Sequence, residues 1–455
     1  MGWAILGRLG LPIRRRRLAK ATGALAPAGE ASPSDCAGEG CTVSLSRWWP
    51  WKVCVFLLFA TALSYLDRQA LSIVAPQIRH EFKLDNAQLG ILLSAFLYSY
   101  AAMHLVVGWI LDRFPLRVTY PLFVLFWSLS QVLAGLARGF ASLFGARMLL
   151  GGFEAAAQPG AARIIASIFP QKDRSLANGL MMSGGSLGAL IAPVLMIWLG
   201  NMIGWRSGFA VLGGLGLAWV VMWLLWFRPP AAALAGSRQN GGATVRREPW
   251  SEILRSPKFW SCIAGAMFGT PIIHITSAWI PTYFVQQWKL PISAGLGAYL
   301  LIIYGGSDLG FLGGGAAVSY LVHRGRRVAA ARKIVMLVST LFMLAAAVVP
   351  FCPSAGWAVF LVFCLNAGRA SWGANFLAFN QDIAPGRVGM MVGIMGCIGA
   401  LSGALLVGAI GVISKSAGFT IPFLMLGGLA VLGFLPILPV SWETVSCAQS
   451  RASEI

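Results

Sequence analysis

Charged residues are scarce in this sequence. Of its 455 residues, 11% are Asp, Glu, Lys or Arg, whereas 57% are hydrophobic. Soluble globular domains carry about 25% charged residues, so this composition excludes a water-soluble domain and predicts a membrane protein. Acidic residues are fewer than basic ones, with 15 Asp and Glu against 35 Lys and Arg, and the net charge is +20.

Several chemical motifs are also missing. The eight cysteines form no Cys-x-x-Cys pair and no Cys/His spacing suited to a metal, so we predict no metal site and no other cofactor. No glycine cluster ends in Gly-Lys-Ser/Thr, which excludes a phosphate-binding loop. No nucleophile, base and orienting residue stand in a pattern typical of catalysis, so the sequence predicts a protein that is not an enzyme.

The sequence is rich in long apolar runs. Twelve runs are each long enough to cross a bilayer core of about 30 Å. They span residues 52–75, 88–111, 118–138, 141–169, 176–199, 207–228, 257–284, 296–322, 332–351, 355–381, 387–413 and 418–440. We therefore predict an all-α membrane protein with twelve transmembrane helices in two six-helix bundles.

Most of the 35 Lys and Arg fall on one side of these predicted helices. The positive-inside rule makes that side cytoplasmic and places both termini in the cytoplasm. The basic clusters RRRR (14–17) and HRGRR (323–327) are then topology signals beside the lipid bilayer. No basic face with interleaved aromatic residues accompanies them, so we expect no nucleic-acid partner.

A long polar interruption divides the apolar runs six and six. The predicted domains are a disordered basic cytoplasmic tail (1–50), a six-helix bundle (51–228), a cytoplasmic linker (229–256), a second six-helix bundle (257–440) and a cytoplasmic C-terminal tail (441–455). The halves repeat at a constant shift of positions, which aligns GLMMSGGSLGAL (179–190) with GIMGCIGALSGA (393–404). Such a duplication is typical of transporters with a substrate site between two repeats.

Glycines recur four residues apart in several predicted helices, as at Gly184 and Gly188 and at Gly399 and Gly403. This spacing lets two helix backbones approach closely. The close approach could lie between the two halves or within one half, and the sequence favours neither.

Two adjacent charges, Asp67 and Arg68, interrupt the first apolar run. A charge at mid-membrane costs at least about 2.5 kcal/mol, so each needs a partner. Neighbouring residues on a helix point about 100° apart, so the two side chains face different surroundings. Ser64 and Tyr65 share the face of Arg68. A guanidinium beside hydroxyl groups suits a hydroxylated ligand that carries a carboxylate.

Further charges interrupt later runs. Arg147 and Glu154 lie seven residues apart in the fourth run, two helical turns along one stripe, and can reach a shared neighbour. They form either a group that titrates with the substrate or a static ion-pair network between helices one and four. Arg369 in the tenth run is a second candidate for binding an anionic group, with a structural role as the alternative.

Three motifs resemble the major facilitator superfamily. GWILDRFPLR (108–117) is similar to its Gly-x-x-x-Asp-Arg-x-x-x-Arg signature at the cytoplasmic end of helix two, with SYLDR (64–68) and RMLLGGFEAAAQPG (147–160) typical of the anion:cation symporter family. Further segments resemble the bacterial hexuronate and galactonate branch, namely WIPTYF (279–284), SDLGFLGGG (307–315) and WGAN (372–375).

The resemblance implies a role for each matching residue. The substrate-binding residues it implies are Tyr65, Arg68, Tyr100 and Asn375. The implied proton-coupling residues are Asp67, Arg147 and Glu154. The residues that match the cytoplasmic gate motif are Gly108, Asp112, Arg113 and Arg117. Asn375 has helix packing as an alternative role. His104, Met182 and Ser319 depart from common residues of the family, which affects the cavity wall and the second-half signature.

The expected function is proton-coupled uptake of a small organic anion by alternating access. By resemblance the substrate is a hexuronate or related sugar acid, and the chain is a monomer in the bacterial inner membrane. Another carboxylate, such as an aromatic acid, is the alternative substrate. A non-transporting receptor is a different class, which the interior charges disfavour because they would then have no purpose.

Overall fold

The computed structural model describes residues 48–84, 86–226, 248–289 and 294–440. In these residues the chain is helical and has no strand. Residues 1–47 of the predicted N-terminal tail, most of the predicted linker and the predicted C-terminal tail lie outside this part. The domain boundaries proposed from the sequence therefore stay predictions.

Six helices make the first half of the chain. They are α1 (Trp49–Phe82), α2 (Asn86–Arg113), α3 (Leu116–Gly135), α4 (Phe140–Glu154), α5 (Ala157–Ile168) and α6 (Arg174–Trp226). Gly204 interrupts α6 with φ 80° and ψ 156°, a conformation that side chains disfavour, so α6 consists of two spans joined at a bend.

The second half begins inside the predicted linker. Its helices are α7 (Trp250–Arg255), α8 (Pro257–Ala264), α9 (Pro271–Gln287), α10 (Ala294–His323), α11 (Val328–Leu344), α12 (Ala355–Ile383), α13 (Val388–Ala417) and α14 (Thr420–Phe434). A π-helical turn at Gly265–Gly269 joins α8 to α9. Ile253 of α7 is buried in the hydrophobic core of the second half.

Nine helical segments of the described chain are long and apolar enough to cross a membrane. Three features account for the twelve predicted spans. The Gly204 bend divides one segment into two spans. The fourth span is broken between α4 and α5, so each piece is short. The tenth, α12, carries several polar side chains that lower its hydropathy. The predicted all-α fold with twelve spans in two six-helix bundles is confirmed.

The repeated glycines pack helices within each half. A Cβ at Gly184 would lie 2.2 Å from the Leu58 carbonyl oxygen of α1, and one at Gly403 would lie 2.4 Å from the His274 ring of α9. These two glycines thus serve corresponding helix pairs in the two halves, α6 with α1 and α13 with α9. This favours the within-half alternative for these positions.

Other glycines bring the two halves together. A Cβ at Gly108 of α2 would lie 2.8 Å from the Gly389 carbonyl oxygen of α13, and one at Gly179 of α6 would lie 2.0 Å from the Phe311 carbonyl oxygen of α10. These contacts lie toward the end of the bundle that contains Asp112, which we call the motif end. The backbones of the two halves are therefore in direct contact there.

Glu81 connects helices at the opposite end. It lies beyond the apolar segment that ends at Ala75. Its carboxylate accepts a hydrogen bond of 2.8 Å from Trp205 Nε1 and forms an ion pair with Arg206, both on α6. The hydrogen bonds from Trp205 and Arg206 hold the pKa of Glu81 below its ordinary value of 4.5. This carboxylate therefore links the end of α1 to α6.

We predict that Glu81→Gln destabilises the protein at neutral pH and not at low pH. A group with a lowered folded-state pKa stabilises the fold above its unfolded pKa and loses that effect as the pH falls through the folded value. Because the pair is exposed, the loss at pH 7 should be small, about 0.5 kcal/mol. Thermal unfolding of detergent-purified protein between pH 7 and pH 3.5 measures it. A deficit that does not shrink below pH 4.5 would contradict the assignment.

Candidate functional site

An ion pair between α1 and α4 lies at the centre of the candidate site. Arg68 Nε donates to Glu154 Oε2 at 2.8 Å. The Glu154 side chain is fully buried, whereas 24% of the Arg68 side chain is exposed. Glu154 is thus shielded, while the guanidinium that it binds can be reached by a ligand.

Three aromatic rings surround the Arg68 guanidinium. Its central carbon lies 5.0 Å from the Tyr65 ring centroid, 5.1 Å from Phe96 and 4.6 Å from Tyr100. Cation–π contacts at these distances stabilise the charge and restrain the orientation of the guanidinium plane. Tyr65 and Tyr100 were predicted for this site. Phe96 was not, although it lies one turn before Tyr100 on α2.

Arg147 holds the backbone of α1 at the same level. Its two terminal nitrogens donate to the carbonyl oxygens of Asp67 at 3.2 Å and Arg68 at 3.3 Å. Arg147 is 3% exposed. Arg147 and Glu154 therefore both contact the Asp67–Arg68 segment, one through its main chain and the other through the Arg68 side chain.

Several buried polar atoms here lack a hydrogen bond. In the described part of the chain, Asp67 Oδ1, Glu154 Oε1 and Arg147 Nε have no partner of ordinary geometry. Asp67 is 2% exposed. Native proteins pair nearly all buried polar groups, so each of these exceptions requires an explanation.

The second half supplies another cation to this region. On α12, Arg369 donates to Ser307 Oγ at 2.7 Å and to Asn366 Oδ1 at 3.3 Å. α6 lies between this part of α12 and Tyr65, because an added Cβ at Gly185 of α6 would lie 2.8 Å from the Tyr65 ring and one at Gly373 of α12 would lie 3.8 Å from Met182 of α6. The candidate site therefore includes side chains from both halves.

Two further candidates are packed away from an open surface. Asn375 is fully buried and donates to the Ser371 carbonyl oxygen at 2.9 Å, one turn earlier on its own helix. His104 is 1% exposed. Its ring contacts Tyr100 with 4.4 Å between centroids and lies against Gly396 of α13. His104 thus forms part of the interface between the halves.

The gate motif is only partly assembled by the fold. Asp112 accepts hydrogen bonds from the backbone nitrogens of Gly389 at 2.8 Å and Met390 at 2.7 Å, at the start of α13. A carboxylate at a helix N-terminus is favourable because it meets unpaired N–H groups and the positive end of the helix dipole. Arg113 instead packs on Trp109, and the exposed Arg117 forms no ion pair with any described residue.

A second connection between the halves was missed by the sequence analysis. Asp382, at the end of α12, accepts hydrogen bonds from Arg174 Nη1 at 2.7 Å, from Gln171 at 2.6 Å, and from Arg332 of α11. Arg332 is 1% exposed. Asp382 lies one residue beyond the predicted tenth run, so its sequence position suggested a loop charge. Its side chain is 7% exposed and accepts hydrogen bonds from groups of both halves.

Comparison of the sequence and the fold with known proteins finds transporters. The Major Facilitator Superfamily profile matches residues 57–406. The D-galactonate transporter of Escherichia coli O6:H1 is 28% identical over 84% of this chain and 93% of its own length. The hexuronate transporter of Escherichia coli K12 is 25% identical over 86% of this chain and 93% of its own length.

A solved structure shows the same fold. The transporter FucP in its outward conformation superposes with a TM-score of 0.67, at 14% sequence identity, over 86% of this chain and 99% of its own. This likeness concerns the arrangement of helices.

We predict that Asp382→Asn strongly destabilises the protein. The change leaves Arg332 buried without its counter-charge, which in other proteins costs about 3–5 kcal/mol. Thermal unfolding in detergent measures the effect. Asp173→Asn, which removes a nearby carboxylate that forms no ion pair with a described residue, is the control. The double variant Asp382→Asn/Arg332→Gln should recover part of the loss. Equal stability of Asp382→Asn and the control would refute the role of the network.

Proposed function

We propose that this chain, which belongs to the Major Facilitator Superfamily, is a secondary transporter that takes up a sugar acid together with protons. Two observations support the substrate class. Relatives that match most of the chain are named as transporters of D-galactonate and of hexuronate. The candidate site also offers a partly exposed guanidinium among two tyrosines, which suits a carboxylate attached to a hydroxylated chain.

The observation that carries the proposal is how Glu154 contacts Arg68. In the described structure the Glu154 carboxylate accepts from Nε. The terminal nitrogens of Arg68 are then available to bind a substrate carboxylate in the two-point geometry that arginine favours. The rings of Tyr65 and Tyr100 lie against the same guanidinium, and we propose that their hydroxyl groups bind substrate hydroxyls.

Asp67 and Glu154 are the proposed proton carriers. Each is buried, and within the described part of the chain each has one carboxylate oxygen without a hydrogen-bond partner, which can accept a proton. Protonation of Glu154 would weaken its ion pair with Arg68 and free that charge for the substrate. Arg147 would link the two events, because it binds the backbone at Asp67 and Arg68.

The motif end is the proposed cytoplasmic gate. By the positive-inside rule this end faces the cytoplasm. There the Asp112 and Asp382 contacts join the halves. Alternating access requires these contacts to break while the central site stays assembled. Hydrogen bonds between a carboxylate and backbone N–H groups can break and re-form as the halves rock.

We predict that Arg68→Lys loses most sugar-acid binding, by tenfold or more. An ammonium group cannot reproduce a two-point contact with a carboxylate. Binding of galactonate to purified protein, followed by the ligand-induced shift in unfolding temperature, measures the loss. Glucose should not compete in wild-type protein, because an uncharged sugar leaves Arg68 unpaired. A lysine variant that binds as tightly as wild type would refute the assignment.

We also predict that uptake of a monoanionic sugar acid responds to the membrane potential. If Asp67 and Glu154 both carry protons, each turnover moves one net positive charge inward, worth about 2.3 kcal/mol per 100 mV. Proteoliposomes at equal pH on both sides, with a potassium-diffusion potential that is negative inside, should accumulate labelled galactonate. Glu154→Gln should exchange galactonate across the membrane but not accumulate it. Uptake that ignores the potential, or a variant that accumulates normally, would exclude the two-proton scheme.

A further inference from the structure

Arg369 is a membrane-embedded cation whose hydrogen-bond partners are neutral. It lies in the middle of α12 and is partly buried. Its hydrogen bonds go to Ser307 and Asn366, which are uncharged. Among the described residues no carboxylate forms an ion pair with it, and Asp308 interacts only at longer range. A guanidinium at this depth is costly unless an anion completes its environment.

Arg369 faces the same region as Arg68. The Arg68 guanidinium carbon lies 5.0 Å from the Tyr65 ring centroid. The packing of α6 connects Tyr65 with the part of α12 that carries Arg369. A Cβ added at Gly185 would lie 2.8 Å from the Tyr65 ring. One turn away on α6, Met182 Cε would lie 3.8 Å from a Cβ added at Gly373 of α12. One turn of α6 thus touches both Tyr65 and the turn of α12 that follows Arg369.

We propose that Arg369 is a second carboxylate-binding residue and that the preferred substrate is a sugar diacid. This inference rests on the proposed transport of sugar acids and narrows it. A diacid has a carboxylate at each end, so Arg68 of the first half and Arg369 of the second half can each bind one. A monoacid leaves Arg369 without an anion, and unpaired buried groups of this kind give strong discrimination between ligands.

Galactarate and galactonate form a matched pair of probes. They share a six-carbon hydroxylated chain and one carboxylate, and they differ at the other end, where galactarate has a carboxylate and galactonate a hydroxymethyl group. Titration of purified protein with each compound at pH 7 gives two dissociation constants. We expect wild-type protein to bind galactarate at least tenfold more tightly than galactonate.

The decisive variant is Arg369→Gln. It keeps hydrogen-bonding groups but removes the charge and the fork geometry. We expect the ratio of the galactonate to the galactarate dissociation constant to fall from at least ten to about one. Arg369→Lys keeps the charge and should retain an intermediate ratio. Arg326→Gln, the same change at an exposed arginine near the motif end, should keep the wild-type ratio.

The outcomes separate the two proposals. A wild-type protein that binds both compounds equally, or an Arg369→Gln variant with an unchanged ratio, would refute the diacid inference and leave sugar-acid transport intact. If Arg369→Gln does not fold, the wild-type ratio and its reduction in Arg369→Lys decide the question. A wild-type protein that binds neither compound would refute the proposed function itself.

Discussion

A charge buried in a membrane-spanning helix must be compensated, and the Arg68–Glu154 ion pair meets that requirement at the centre of this protein. The pair joins α1 to the end of α4, and Arg147 binds the adjacent main chain of α1. Separation of these charges in a low-dielectric environment would cost free energy. The proposed transport cycle depends on this constraint. When the ion pair weakens, a substrate carboxylate would compensate the charge of Arg68 and a proton would neutralise Glu154.

Charges between the two halves must also be compensated, and there the partners include backbone N–H groups as well as charged side chains. At the motif end Asp112 binds backbone N–H groups of α13, and Asp382 accepts from arginines of both halves. Glycines let the backbones meet at the same end. Near the centre the described side chains from opposite halves include two arginines, Arg68 and Arg369, which do not attract each other. An anionic substrate between them would supply the missing attraction, so substrate binding would favour approach of the halves.

Much of the fold was readable from hydropathy because a bilayer admits only long apolar helices. The family was also readable, since the motifs around Arg68, Asp112 and Glu154 are local in sequence, and membership of the superfamily is confirmed. A chain of this family is a transporter and not an enzyme. The break at Gly204 falls between the predicted runs 176–199 and 207–228, although hydropathy gives only the break and not the positive φ angle that makes it.

Long-range partners were harder to predict. Asp382 looked like a loop charge, since its partners at Arg174 and Arg332 are distant in sequence. Arg117 matched the gate motif, yet it is exposed and forms no ion pair with a described residue. A spacing identifies which residues share a helix face. It does not identify which helix that face meets. The glycine pairs are an example, because their spacing predicted close packing but not that the packing lies within each half.

The central claim is that substrate binds to Arg68 as Glu154 takes up a proton. Proton uptake during binding tests this directly, with purified protein in weakly buffered solution near neutral pH and a pH-sensitive dye. Wild-type protein should take up protons when galactonate is added, and Glu154→Gln should bind galactonate and take up fewer. Binding by wild-type protein without proton uptake, or equal uptake by the Glu154→Gln variant, would contradict the account.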